Sequence, residues 1–147
     1  MSKQSTHINE AAFAAIFEKA WAAGVAAATT KTPTPMHVQM ATGLTDKFDF
    51  SKPFETVFEG ACGFAWVNVY GASPAGRKDI PFVKWLRHMA AKTGDRRYGR
   101  FAGYERCWQI WISDYNQSVE RKQAHAGAMA TALQEAGIKA YGGSRLD

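Results

Sequence analysis

Residues 103–147 read GYERCWQIWISDYNQSVERKQAHAGAMATALQEAGIKAYGGSRLD, and this stretch decides the fold. Its first part, 104–113 (YERCWQIWIS), holds two tryptophans and two isoleucines, a composition that suits a half-buried strand. Asn116 and Ser118 are candidate helix caps, and Val119, Ala126, Met129, Ala130 and Leu133 recur on one face of the helix that follows. Gly137 fits the left-handed position that stops a helix, with Ile138 placed to contact Leu133 in a Schellman arrangement. A last strand runs from about Ile138 to Tyr141 and resumes towards Leu146 after Gly142-Gly143. The segment therefore predicts strand, capped helix, strand.

Upstream, Asp79 and Pro81 open a helix to about Lys92, with Phe82, Trp85, Leu86 and Met89 inward and Gly94 as its stop. Phe54–Phe58 and Ala61–Tyr70 read as two strands joined in a hairpin at Glu59-Gly60. In the second of them, Gly63, Ala65, Val67 and Val69 make a small face suited to packing under helices. Cys62, Phe64, Trp66, Asn68 and Tyr70 make the opposite, aromatic face. A further helix is expected from Glu10 to about Ala28, capped by Asn9. Its stripe of Phe13, Ile16, Phe17, Ala20, Gly24, Ala27 and Ala28 is shallow and expects the protein's own sheet as its partner. Thr29–Pro35 is extended, Met36–Met40 is a short strand, and residues 41–53 are a loop. Residues 1–8 are expected to be frayed or disordered, and 9–147 to form one domain. Strand–helix–strand units predict crossovers with parallel neighbours, and the hairpin adds an antiparallel edge. The expected class is α+β: a mixed sheet of about four to five strands packed with three helices in a two- or three-layer sandwich.

Composition narrows the function classes. The chain has 147 residues, 46% of them hydrophobic, which is enough for a real core and excludes a disordered tail. A formal charge of +5 favours an anionic partner or serves solubility alone. Cys62 and Cys107 lie in apolar runs and are expected to be buried, reduced thiols. With no CxxC and no Cys/His cluster at zinc spacing, no metal and no cofactor is expected. The alanine-rich stretch 11–28 is interrupted by Glu18 and Lys19 and lacks a basic lead, so it reads as a soluble helix of a cytoplasmic protein with no membrane contact.

Four constellations bear on chemistry. Gly71-Ala-Ser-Pro-Ala-Gly76-Arg77-Lys78 lies between strand and helix as a phosphate-binding loop does, but Arg77 and Lys78 replace the lysine and hydroxyl, and Pro74 removes an amide. Simple anion binding by Arg77 and Lys78 at this helix start competes with a plain turn. Residues 92–106 (KTGDRRYGRFAGYER) place Arg96, Arg97 and Arg100 beside Tyr98 and Phe101, a pattern that can neutralise phosphates and stack bases. The competing reading is a solvated loop with its aromatics tucked onto the core. Phe64, Trp66, Tyr70 and Trp111 form an aromatic sheet face that stacks bases if it is open, whereas the expectation is that the N-terminal helix covers it. Cys62, flanked by Gly60 and Gly63, is a candidate nucleophile only if His37, His88 or His125 lies beside it, and a structural thiol is the simpler reading.

Gly60-x-Cys62-Gly63-Phe64-Ala65-Trp66-Val67, Ile110-Trp111, Tyr115-Asn116-Gln117-Ser118-x-x-Arg121-Lys122 and Ala140-Tyr141-x-x-Ser144-Arg145-Leu146-Asp147 together resemble a family of small uncharacterised proteins encoded by tailed bacteriophages. The alanine-rich helix followed by Thr34-Pro35-Met36 resembles their N-terminal part, so the likeness covers most of the chain outside 41–53 and 71–103. The resemblance implies action inside an infected bacterium and supplies no mechanism. The expected function is therefore a non-enzymatic binding protein, an accessory factor acting on a host component. The alternative is a nucleic-acid or phosphate binder using the basic aromatic loop, and the third reading is a small cysteine-dependent enzyme. Host protein or nucleic acid is the expected partner, with the oligomeric state open.

Overall fold

Alternation along residues 63–69 organises the sheet. In a computed structural model that describes residues 3–38 and 55–147, Gly63, Ala65, Val67 and Val69 are buried while Phe64, Trp66 and Asn68 are half-exposed. The elements in chain order are α1 (Lys3–Thr30), β1 (Met36–Val38), β2 (Glu55–Val57), β3 (Gly63–Val69), α2 (Pro81–Thr93), β4 (Arg100–Ala102), β5 (Cys107–Trp111), α3 (Val119–Glu135) and β6 (Ala140–Leu146), with a 3-10 turn at Arg96–Tyr98 before β4. The class is α+β, with three helices and a four-stranded sheet in the order β4-β5-β3-β6 among the described residues. β1 and β2 form a separate two-stranded ladder. The loop expected at 41–53 lies outside the described residues.

The sheet is antiparallel at every pairing, not mixed. The reason is β4, which falls within the stretch read from sequence as a basic loop. It forms a hairpin with β5, so each helix-linked strand pair, β3/β4 and β5/β6, is separated by one intervening strand. The chain from β3 to β6 is thus a split β-α-β-β-α-β unit of ferredoxin-like topology. The hairpin expected between 54–58 and 61–70 does not form. β2 pairs instead with β1, and Gly60, at φ 77°, turns the chain from β2 into β3.

All three described helices lie on the small-face side of the sheet. Ala65, Val67, Val69, Trp108, Ile110, Ile112 and Ala140 share one core with Phe17 of α1, Phe82, Val83 and Leu86 of α2, and Met129 and Leu133 of α3. α1 begins before Asn9, so Asn9 is interior to the helix and not its cap. Its expected stripe is the buried one, with Phe17, Ala20, Gly24 and Ala28 enclosed, but it packs chiefly on α3, not on the sheet. Asn9–Thr30 is long and apolar enough to cross a membrane by length and composition. The close approach of α1 to α3 depends on Gly24, where a Cβ would stand 2.4 Å from the His125 ring.

His125 is fully buried, with the Trp21 ring edge-on at 4.6 Å and its Nδ1 2.8 Å from the Tyr115 hydroxyl. Its Nε2 has no hydrogen-bond partner among the described residues. A neutral ring tolerates this when Nε2 is a bare acceptor, whereas protonation would press an N–H against Gly24 with nothing to accept it. Burial accordingly lowers the imidazole pKa to about 4, and the Asp114 charge offsets only part of that.

The start of α3 and the stops of α2 and α3 follow their sequence signals, and α2 opens at Pro81 with Ile80, not Asp79, in the cap position. Ser118 caps α3, its hydroxyl accepting from the Arg121 amide at 3.4 Å. Gly137 takes φ 84°, the Ile138 amide donates to the Leu133 carbonyl at 3.0 Å, and the Gly137 amide donates to Gln134 at 2.9 Å, which is the Schellman pattern. Gly94 closes α2 at φ 69°.

Two outcomes follow. Nothing lies within 4 Å of a Cβ at Gly137, so the cost of Gly137→Val is conformational, about 1 kcal/mol or more in chemical denaturation. Protonation of the unfolded chain's histidine, near pH 6.5, precedes that of folded His125, near 4. Stability is therefore full above pH 6.5 and declines by about 3 kcal/mol as pH falls to 4. His125→Gln should flatten that limb of a pH series of urea melts, leaving the loss below about pH 4 that Asp79 and Asp95 contribute through their lowered pKa values.

Candidate nucleic-acid interface

The face of the sheet opposite the helices carries the large side chains of the central strands. In an antiparallel ladder, opposed residues point the same way, and β3 and β5 set Trp66 against Trp111 and Asn68 against Gln109. The two indoles lie 5.1 Å apart, tilted by 35°, and the Phe64 ring meets Trp111 edge-on at 5.8 Å. Gly143 of β6 lies opposite Trp66, where a Cβ would come within 2.5 Å of the indole nitrogen. The glycine thus lets the Trp66 ring lie flat across the neighbouring strand. Beside this cluster, Gln109 donates to the Asn68 side chain at 2.9 Å and accepts from the Trp111 indole N–H at 2.6 Å. Gln109 is buried with both ends of its amide engaged, so the pair fixes the Trp111 ring and leaves half-exposed Asn68 as the polar side chain beside it. A second aromatic pair, Tyr70 and Tyr141, meets edge-on at 5.8 Å, with Lys139 Nζ 5.4 Å from the Tyr70 ring.

Cations flank these rings on both edges. On β6, Arg145 lies opposite Phe64 with its guanidinium 5.3 Å over that ring. On β4, Arg100 lies opposite Gln109 and is exposed. A groove of about 590 Å³ runs from Trp111 and Ser113 past Gln109 to Arg100 and Arg96. Neither Arg96, Arg100 nor Arg145 forms an ion pair among the described residues. An extended ribbon of polar charge and flat rings therefore crosses four strands. No described helix packs over it, so the N-terminal helix expected to cover Phe64, Trp66, Tyr70 and Trp111 lies on the other side.

The basic stretch divides across the molecule. Arg96 and Arg100 reach the groove, but Arg97 points to the helical side, paired to Asp95 at 3.0 Å with its guanidinium over Trp21 and Phe17. The Arg97 amide and guanidinium together hold the Asp95 carboxyl below its usual pKa. Tyr98 is only 8% exposed, stacked on Phe17 at 4.9 Å, and Phe101 packs against the same core. Tyr98 and Phe101 are thus unavailable for stacking bases. The direction of Phe101 follows from β4, in which Phe101 opposes core-facing Trp108 while Arg100 opposes Gln109.

Arg77 and Lys78 are exposed on a turn whose interior is already filled. Asp79 accepts from the Ser73 amide at 2.8 Å and from Arg87 Nε at 2.8 Å, and the Ser73 hydroxyl accepts from the Lys78 amide at 2.9 Å. Burial alone would raise the Asp79 pKa, but Arg87 and Ser73 hold it below the ordinary carboxylate value. A carboxylate thus occupies the place of a phosphate, and the loop is a structural clasp between its own turn and α2.

Cys107 is buried, as expected, but Cys62 is exposed, because the residue precedes β3 and only bridges Ser118. His88 is exposed on α2 and His125 is enclosed with Tyr115, so neither is offered as a base to Cys62. Sequence reasoning missed Arg145 and Gln109 as members of the face. Their strand parity relative to Phe64 and Trp111 was the available signal. Comparison with protein-family models, curated proteins and solved structures gives no match.

The thiols differ in an accessible way. Burial, with the Glu105 charge, pushes the Cys107 thiol pKa up. One thiol, Cys62, should react with a colorimetric disulfide reagent in the native protein, and the second only on unfolding, with Cys62→Ser abolishing the native signal.

Proposed function

We propose that this chain is a non-enzymatic binding protein whose ligand is single-stranded nucleic acid, held across the open face of the sheet. The observation that carries the reading is the register that sets Trp66 directly against Trp111 on the two central strands, with Arg100 and Arg145, in no ion pair among the described residues, at the edges. Half-exposed rings on central strands offer stacking surfaces to two or three unpaired bases, and guanidinium groups at the rims meet the phosphates between them. Half-exposed Asn68 supplies a polar group next to a base stacked on Trp111, while buried Gln109, bonded to both side chains, holds them in place. Duplexes, whose bases are already stacked on one another, offer no faces to these rings. Taken with the likeness to phage-encoded proteins, the reading puts the ligand among the nucleic acids of an infected bacterial cytoplasm.

The experiment is a titration of intrinsic tryptophan fluorescence with short single-stranded and duplex DNA and RNA at two salt concentrations. Single strands should quench the signal and saturate, with the duplex far weaker. Trp66→Ala and Trp111→Ala should each weaken binding by about 1–3 kcal/mol. Arg100→Ala and Arg145→Ala should each reduce the slope of log affinity against log salt by about one contact. Absence of saturable binding at physiological salt overturns the proposal and leaves a protein ligand as the reading of this face.

A further inference from the structure

β6 is a seven-residue strand at the edge of the sheet, paired on one side to β3 along its whole length. The Asp147 amide donates to the Cys62 carbonyl at 3.1 Å and the Tyr70 amide to the Lys139 carbonyl at 2.9 Å. These contacts fix the parity: odd-numbered residues of β6 turn their backbone groups to β3, and Ala140, Gly142, Ser144 and Leu146 turn theirs outward. Gln134 Nε2 donates to the Ala140 carbonyl at 2.6 Å, which removes that residue from the free edge. Gly142, Ser144 and Leu146 remain, with both backbone groups unpaired among the described residues, and they are symmetric about Ser144. The strand contains no proline, and its one charged side chain, Arg145, lies over Phe64. The opposite edge, β4, has three residues. β6 therefore lacks the devices that keep an edge strand from pairing.

We propose that β6 pairs antiparallel with β6 of a second copy of this chain, across a two-fold axis at Ser144, to make one continuous eight-stranded sheet. Side chains as well as backbone favour this register. Gly142 opposes Leu146 of the second copy, and both lie on the helical side of the strand. Leu146 is 68% exposed in the single chain, a large apolar side chain with no cover. Gly142 borders an unfilled groove of about 240 Å³ between β6 and α3, lined by Gln123, Ala126, Gly127 and Ser144. The pairing seats each Leu146 at the other copy's groove, and the absence of a side chain at Gly142 leaves room for it. On the other face, Gly143 opposes Arg145 of the second copy, whose guanidinium leans away over its own Phe64, so no cations face one another across the seam. The inference does not depend on the ligand proposed above.

Sedimentation equilibrium of the full chain tests it. The expected mass is twice 16.2 kDa at high micromolar concentration, falling to one on dilution. Ser144→Pro removes the central outward amide without touching the β3 ladder, and Leu146→Asp charges the side chain that must be buried. Each should return the protein to monomer with an unchanged circular dichroism spectrum and an intact native fold. Register is read in a Cys62→Ser background. Ser144→Cys places two thiols directly opposite, about 5.5 Å apart between Cα atoms, within disulfide range. Oxidised glutathione should then link the copies, while Thr131→Cys on α3 should give no link. A chain that stays monomeric throughout, or a dimer unaffected by both edge variants, overturns the proposal.

Discussion

The alternation of small and large side chains along β3 is the constraint on which this molecule depends. A strand has two faces and cannot bury both with three helices on one side. Ala65, Val67 and Val69 leave a shallow surface, so α2 and α3 approach closely and α1 packs on α3 behind them. Phe64, Trp66 and Tyr70 must then emerge on the opposite side. The aromatic face is a consequence of how the core is packed, and shifting β3 by one residue would exchange the two.

The same economy of small residues appears wherever two elements come near. Gly24 admits the His125 ring between α1 and α3, Gly143 admits the Trp66 indole across β6, and Gly99 admits the Trp108 indole, whose nitrogen would lie 2.8 Å from a Cβ there. Each contact places a ring where it is held by shape. At His125 the result is a buried imidazole with one nitrogen unpartnered among the described residues, so helix packing and proton affinity become a single property. At Trp66 the result is a flat ring on an open face.

Charge is divided between the two sides of the sheet as firmly as hydrophobicity is. Within five residues, Arg97 and Tyr98 serve the helical side while Arg96 and Arg100 border the groove. Arg87, Asp79 and Ser73 knit a loop that resembles an anion site in sequence and is self-sufficient in structure. Arg121 likewise bonds the Ala28 carbonyl and Glu59, tying the end of α1 and the β2 turn to α3.

The sequence by itself determined the local signals: the caps at Ser118, Gly94 and Gly137, the inward faces of α2 and α3, the two faces of β3, and the α+β class. These are legible because a cap or a periodicity is read within one element. Tertiary structure decided the rest. The three-residue β4 has no periodicity to read and exists because β5 offers an edge, and its insertion turns expected parallel neighbours antiparallel. The same strand sends Phe101 inward and Arg100 outward, so the basic stretch could not be resolved into core and surface before its partner was known. Which face of the sheet the N-terminal helix would cover was likewise undetermined, because an alanine-rich stripe fits any shallow surface. Packing selected α3, since Gly24 and His125 interlock there, and left the tryptophans facing outward.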